Sequence, residues 1–332
     1  MDFVTIILYT FVLIVGLCIG SFLNVVILRA LSDESIVFPA SKCPKCQTPL
    51  KWWHNIPLVS YVFLKGKCAF CKEHISIQYP IIEFLTGMLF VMCVYKFGFN
   101  INAIYAAAIG CILIVIAGTD WKEKVVFDFH CFLLICIALI YSFCFTAQEI
   151  IHDYTLVGTV DFSKDFIMNS PFIISILGAI TGFCIMKAFE FVGKLIAGVD
   201  AFGDGDSLIT TGIGAVFGWK SFIGIFILSI LLIAILSLPI MIIKTVKNKN
   251  FKPTVSLVTS IAALAVFEFI TDNFDLNIYL LILLTACVFV PVIIFSYCLI
   301  NDVRKNPQTQ TYLPFGPALI IAAFIFMFGF VG

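Results

Sequence analysis

Charged residues are scarce in this chain. Aspartate, glutamate, lysine and arginine make up 12% of its 332 residues, whereas apolar residues make up 61%. So little charge excludes an ordinary soluble domain, and a mean hydropathy of +1.11 is typical of a protein that crosses a membrane several times. The formal net charge is zero. A net charge of zero says nothing about nucleic acid. From the apolar composition we expect the lipid bilayer as the surroundings and no nucleic-acid partner.

The start of the chain lacks the marks of a cleaved signal peptide. No basic segment precedes the first apolar run and no A-x-A-like site follows it, so we predict a retained helix. A helix needs about 20 apolar residues to cross the hydrocarbon core. Such runs occur at 3–29, 80–98, 101–119, 129–147, 171–192, 221–243, 254–271 and 277–299, with shorter ones at 207–218 and 313–331. The pattern predicts an all-α, polytopic membrane helix bundle with about ten apolar segments.

The loops between these runs alternate in basic content, which predicts their orientation. Lysine and arginine are concentrated between Arg29 and Lys72, at Lys122 and Lys124, at Lys194, between Lys244 and Lys252, and at Arg304 and Lys305. By the positive-inside rule these loops are cytoplasmic. The longest intervening connection, 148–170, carries four acids and one lysine. Ten crossings would leave both termini outside, with Asp120 and Asp206 at the cytoplasmic end.

Two acids at membrane depth are the candidate catalytic pair. An ionised carboxylate at the bilayer centre costs roughly 2.5 to 3.5 kcal/mol, so such residues usually mark function. Asp206 lies in Gly203-Asp204-Gly205-Asp206, between apolar runs, and Asp120 ends the run 101–119. Gly203 and Gly205 lack Cβ atoms and permit a positive φ or a close approach of another segment. Two adjacent carboxylates that share a proton can activate water and protonate a carbonyl oxygen, which is aspartic-protease chemistry.

Two other interpretations of these acids remain open. Any single acid can be a helix-end residue in the headgroup layer, where Asp128, Asp200 and Asp204 could equally lie. The pair could also relay protons or bind a cation in a transporter built from broken helices. Transporter sites usually lie near the bilayer midplane, whereas Asp120 and Asp206 are predicted near one face.

The polar segment 31–79 contains two C-x-x-C knuckles, which predict a metal site. Four thiolates in this spacing are typical of tetrahedral zinc, and a metal stabilises a segment too small to bury much core. The four ligands are Cys43, Cys46, Cys68 and Cys71. Disulfides are the alternative, but a cytoplasmic loop lies in a reducing compartment. Because four cysteines fill the site, we expect His54 and His74 at the surface.

Three residues of the first two helices are expected to support packing. Gly20 lies on a face of small residues that permits close contact between helices. Asn24 lies on the same face and is predicted to hydrogen-bond across to another helix. Glu83, one turn inside the second helix, is predicted to pair with a basic residue of the loop.

In their order along the chain, several sequence blocks resemble those of the type 4 prepilin peptidases. The blocks are Gly20–Ile27 with Arg29, the two C-x-x-C knuckles with Asn55-Ile56-Pro57, Ile75 to Gly87, Asp120 with Asp128, Gly203–Asp206, Gly214 to Trp219, and Pro314–Pro317. The resemblance implies a bifunctional aspartic endopeptidase and N-methyltransferase of the bacterial inner membrane. It implies type IV prepilin or pseudopilin precursors as substrates at the cytoplasmic face, and S-adenosylmethionine as methyl donor.

The resemblance also assigns residues. Asp120 matches the first family aspartate and Asp206 the aspartate of the G-x-G-D motif. Asp128 matches an acid that follows a proline in the family, and Asp200 stands where glutamate is usual. The chain departs from the pattern at Phe127 for that proline, at Leu208 for a lysine, and at the acidic Asp204.

The predicted domain division follows from these blocks. Residues 1–30 form the first transmembrane helix, 31–79 the zinc loop, and 80–332 the peptidase bundle, in which 254–299 is an added helical hairpin. A G-x-G-D protease without methyltransferase activity is the alternative within the same chemistry, but the cysteine loop is typical of the bifunctional branch. No G-x-G-x-x-G element indicates where the methyl donor binds.

Overall fold

Helices make up the regular structure of this protein. The computed structural model describes residues 3–32, 34–38, 41–43, 45–157, 164–197, 203–248 and 315–329. Within these ranges the only extended pairings are two isolated β-bridges in the cysteine loop. The all-α prediction is therefore confirmed.

Nine α-helices and one short 3₁₀ helix lie within the described ranges. In chain order they are α1 (Phe3–Ser32), the 3₁₀ helix (Trp52–Asn55), α2 (Val59–Phe63), α3 (Gln78–Phe97), α4 (Ile101–Glu123), α5 (Asp128–Val157), α6 (Lys164–Asn169), α7 (Pro171–Ala197), α8 (Asp204–Asn248) and α9 (Phe315–Gly329). Long apolar segments form helices in lipid because a helix satisfies its own backbone hydrogen bonds.

Six of these helices are long and apolar enough to cross a membrane. They are Phe3–Ser32, Gln78–Phe97, Ile101–Glu123, Asp128–Thr155, Pro171–Val192 and Asp204–Ile233, and the apolar α9 is shorter. The predicted count of about ten segments is not confirmed. Two of the predicted runs, 254–271 and 277–299, lie outside the described residues. The protein is nevertheless a multi-pass membrane protein.

Helix α8 contains a break at Gly218. Its φ of 75° and ψ of 164° are non-helical, and a positive φ of this size favours glycine. The break separates the two runs that the sequence predicts at 207–218 and 221–243. The hydroxyl of Ser175 on α7 donates to Ala215 O at 2.7 Å, in the last turn before the break.

The chain divides into two compact units. One contains Met1–Met186, Asp204–Ser229 and Pro314–Gly332, and the other contains Lys187–Gly203 and Ile230–Leu313. The first unit holds the cysteine loop, Asp120 and Asp206.

Helix α4 lies at the centre of the first unit. It packs against α1, α3, α5 and α9, and its Ile109, Leu113 and Ile116 are almost completely buried. Helices α1 and α3 approach so closely that a Cβ at position 20 would lie 2.7 Å from Glu83 Cα. The close packing predicted at Gly20 is therefore confirmed.

Candidate active site and cysteine loop

Asp120 lies in the last turns of α4, with 5% of its surface exposed. The helix ends at Glu123, and the next residue, Lys124, adopts a left-handed conformation and donates its N–H to Asp120 O at 2.9 Å. Asp120 Oδ2 is buried, and the described residues give it no hydrogen bond of good geometry. Because buried polar atoms are normally paired, this oxygen is suited to an incoming donor or a proton.

Asp206 lies in the first turn of α8 and is half-buried. It is close enough to Asp120 for the two carboxylates to interact electrostatically. Gly205 makes this approach possible, since a Cβ there would lie 2.8 Å from Val126 Cβ in the turn between α4 and α5. The structure thus brings together the two acids that the sequence singles out.

Helix α9 supplies a third element of the site. The backbone N–H of Gly316, at its N-terminus, interacts with the Asp120 carboxylate. A Cβ at position 316 would collide with Asp120 Oδ2. Unpaired N–H groups and the positive end of the helix dipole stabilise an anion at such a terminus. The sequence pattern alone assigns no role to the Pro314–Pro317 block, although a proline in a first helical turn is a usual start signal.

The other motif residues lie in different surroundings. Asp128 and Asp204 are exposed in the first turns of α5 and α8. Asp128 and Asp206 both interact electrostatically with the buried Cys131. Asp200 lies outside the described residues. A Cβ at Gly203 would meet no described atom within 4 Å, so the close approach expected at both motif glycines is found only at Gly205.

The four cysteines of the loop form one cluster. Their sulfur atoms all lie within 4.8 Å of one another, and those of Cys43 and Cys71 are 3.9 Å apart. Zinc–sulfur bonds of about 2.3 Å in a tetrahedron require sulfurs about 3.8 Å apart. The cluster therefore fits a zinc ion.

The two knuckles have the same backbone geometry. In each, the N–H of the first cysteine donates to the carbonyl five residues later, from Cys43 to Thr48 and from Cys68 to Glu73. The residue after the second cysteine has a positive φ, 56° at Gln47 and 60° at Lys72. An isolated β-bridge closes each turn.

The sulfurs differ in their readiness to ionise. Hydrogen bonds with Thr48 lower the pKa of Cys46 to about 6. Near Cys71, the Glu73 backbone favours the thiolate, but partial desolvation and the three neighbouring sulfurs outweigh it and raise the pKa to about 11. Since like charges so close together oppose one another, four thiolates require a cation among them.

The loop joins the bundle at Glu83, and here one prediction was wrong. Glu83 Oε2 accepts a hydrogen bond from the Leu58 N–H at 2.8 Å, and none of the ion pairs found among the described residues joins it to a basic loop residue. The prediction for Asn24 is confirmed, because its Nδ2 donates to Tyr79 O on α3 at 3.1 Å. His74 is exposed as expected, whereas His54 is half-buried and packs on Phe70.

Comparison with known proteins agrees with this arrangement. Residues 14–97 match the model described as Bacterial Peptidase A24 N-terminal domain, and residues 107–238 match the model of the Type IV leader peptidase family. The first match includes the cysteine loop, and the second includes both acids. No solved structure matches the chain.

Three curated relatives carry the name prepilin leader peptidase/N-methyltransferase. The protein from Myxococcus xanthus is 32% identical, over 65% of this chain and 58% of that protein. The protein from Neisseria gonorrhoeae is 31% identical, over 62% of this chain and 72% of that protein. The protein from Xanthomonas campestris pv. campestris is 32% identical, over 67% of this chain and 77% of that protein. The chain thus spans less than two thirds of the M. xanthus relative. With two ordered family matches and relatives covered over most of their length, the chain belongs to the Type IV leader peptidase family, the type 4 prepilin peptidases.

Proposed function

We propose that this protein is an aspartic endopeptidase that removes the leader peptide of type IV prepilin or pseudopilin precursors. It acts at the cytoplasmic face of the bacterial inner membrane and then N-methylates the new first residue. The observation that carries the proposal is the convergence of three helices on one buried carboxylate. Asp120 from α4 is approached by Asp206 from α8 and by the N-terminus of α9.

The two carboxylates provide the acid and the base of the reaction. Sharing one proton, one accepts a proton from water while the other donates to the oxygen of the scissile carbonyl. The water oxygen then bonds to the carbonyl carbon, and the peptide C–N bond breaks as the leaving nitrogen takes a proton. The positive end of α9 stabilises the negative charge that remains on the pair.

The test is to incubate the purified protein with a prepilin from the same cell. Removal of the leader is then detected as a decrease in the mass of the prepilin. We expect Asp120→Asn and Asp206→Asn each to reduce the cleavage rate roughly 10²- to 10⁴-fold, the usual contribution of a general acid or base. Asp128→Asn is the matched control, because Asp128 is an exposed acid in the first turn of α5. It should cleave at close to the wild-type rate. Near wild-type cleavage by either dyad variant would exclude this mechanism.

N-methylation is the second step of the proposal, and S-adenosylmethionine supplies the methyl group. The attacking amine must be unprotonated, and with a pKa of about 7.7 to 8.0 an α-amino group is partly neutral in the cytoplasm. The enzyme then needs chiefly to hold the amine in line with the methyl donor. In this proposal the zinc-bound loop covers the cleaved end, and the mass of the matured pilin reports the added methyl group.

A further inference from the structure

Glu83 is a buried acid that the proposed peptidase chemistry does not use. Only 7% of its surface is exposed, and it lies in the second turn of α3, within the helix bundle. A carboxylate in such a position is costly and usually marks function. Its side chain accepts a hydrogen bond from the Leu58 backbone N–H at 2.8 Å and also interacts with the Ser21 hydroxyl.

The turn that makes this contact is strained. Val59 N–H donates to Pro57 O at 2.6 Å, and Leu58 between them has a φ of 58° and a ψ of −46°. This is a γ-turn with a positive φ, a rare and strained form for a residue with a side chain. Strain of this kind persists only where the surroundings impose it and is concentrated at functional sites. The Leu58 N–H in this turn contacts Glu83, so the segment Asn55–Leu58 ends against that acid.

Asn24 hydrogen-bonds to the first turn of α3, the turn that precedes Glu83. It is completely buried, and its Nδ2 donates to Gly20 O at 3.3 Å and to Tyr79 O at 3.1 Å. Tyr79 precedes Glu83 by one helical turn. The amide oxygen of Asn24 is buried and has no hydrogen-bond partner among the described residues. Buried amide oxygens are rarely left unpaired, so this atom indicates a donor other than the residues that the structure describes.

We infer that Glu83 and Asn24 bind the new α-ammonium group of the cleaved pilin, with the Asn55–Leu58 segment as the cover that moves aside. A carboxylate and an amide oxygen accept hydrogen bonds, and an ammonium group has only donors to offer. The ammonium replaces the Leu58 N–H at Glu83 and fills the open acceptor of Asn24. The ammonium proton passes to Glu83, which frees the nitrogen lone pair for methylation.

The location of this pair agrees with a substrate that has just been cut, so the inference rests on the proposed function. Ile27 of α1 packs against Gly118, two residues before Asp120. Asn24 lies one helical turn from Ile27, roughly 5 Å along the axis. The Glu83 pair and the Asp120 pair therefore share one end of the bundle as separate clusters.

A binding measurement tests the inference without requiring cleavage. The probe is a synthetic peptide of the mature pilin N-terminus, with a free α-amino group or with that group acetylated, added to nanodisc-embedded protein. We expect the free amine to bind roughly 10- to 100-fold more tightly, the usual effect of a hydrogen bond to a charged group. Glu83→Gln should remove the difference and Asp120→Asn should keep it. Equal binding of both peptides to the wild type, or a difference retained in Glu83→Gln, would overturn the inference.

Product mass provides the second readout. Glutamine keeps an acceptor for the Leu58 N–H but cannot take a proton, so Glu83→Gln should cleave at the wild-type rate and reduce methylation at least 10-fold. Thr86→Val is the matched control. Its hydroxyl is equally buried on α3 and, among the described residues, donates to Ile82 O in its own helix alone, so methylation should not change. Parallel loss of cleavage and methylation in Glu83→Gln would show a structural role instead. Failure of the wild type to cleave, with amine preference intact, would reject the peptidase proposal and not this site.

Discussion

The cysteine loop and the carboxylate site are built in opposite ways. Each half of the loop is a turn of six residues whose hydrogen bonds stay within it, from Cys43 to Thr48 and from Cys68 to Glu73. The carboxylate site instead joins Asp120, Asp206 and Gly316, which come from three helices far apart in the chain. The comparison shows that a metal site can be encoded locally, whereas this acid pair depends on how closely the helices pack.

The largest effect is expected from removing two zinc ligands at once. Structural zinc contributes an apparent free energy of roughly 10 to 16 kcal/mol in small zinc peptides, so its loss has a large effect. Cys43→Ser with Cys46→Ser removes two of the four thiolate ligands, and this variant should bind no zinc. The wild type should contain about one zinc per chain by elemental analysis. Because the acid pair lies on helices outside the loop, we expect cleaved but unmethylated pilin from the variant.

Cys136→Ser is the control for the zinc prediction, since Cys136 is an exposed cysteine of α5. It should retain zinc and both activities. Wild-type protein purified without chelators that contains no metal would contradict the prediction. Fully methylated pilin from the double variant would show that the loop has only a structural role.

A smaller but still large effect is expected at Gly316. A Cβ there collides with Asp120 Oδ2, so Gly316→Ala must displace the carboxylate or α9. Misplacement of a reacting group by about 1 Å can cost 10²-fold in rate, and we expect a reduction of roughly that size in cleavage. Gly329→Ala, at the other end of α9, is the control, because the one described atom that its Cβ would meet within 4 Å is Ile325 Cγ2, at 3.9 Å. Equal rates for the two variants would mean that α9 does not shape the site.

The smallest effect separates the two glycines of the G-x-G-D motif. Gly205→Ala places a Cβ 2.8 Å from Val126 Cβ and should push α8 away from the turn before α5. A small shift of this kind should reduce cleavage by roughly 10-fold, within the range for misplaced catalytic groups. Gly203→Ala meets no described atom within 4 Å and should cleave like the wild type. If both variants lose activity equally, the requirement for Gly203 comes from something other than close packing.

The difference between the two regions also explains what the sequence can predict. The four zinc ligands follow from C-x-x-C spacing, because a metal imposes the same short turn wherever it binds. The all-helical class follows from apolar runs of membrane length. Asp120 and Asp206 are found as candidates because acids are rare in such runs.

Long-range contacts are what the sequence does not reveal. Nothing in the local pattern places Gly316 beside Asp120, since that contact depends on the packing of α9 against α4. The partner of Glu83 was predicted to be a basic residue, but it is the backbone N–H of Leu58. Every residue type except proline has a backbone N–H, so the sequence does not reveal which backbone donor will pair with an acid. The positive φ of Leu58 is equally hidden, because leucine carries no signal for a γ-turn.

The position of Gly316 has a consequence for biosynthesis. Helix α9 is held at both ends, by the Asp120 carboxylate near Gly316 and by Lys96 Nζ, which donates to Met327 O at 2.8 Å. Gly316 is translated about 110 residues after Asp206. At about 5 to 20 residues per second, Gly316 is synthesised roughly 5 to 20 s after Asp206, the later of the two acids. A nascent chain therefore carries both carboxylates in the membrane before it has a finished pocket, and newly made molecules should acquire peptidase activity only after α9 inserts.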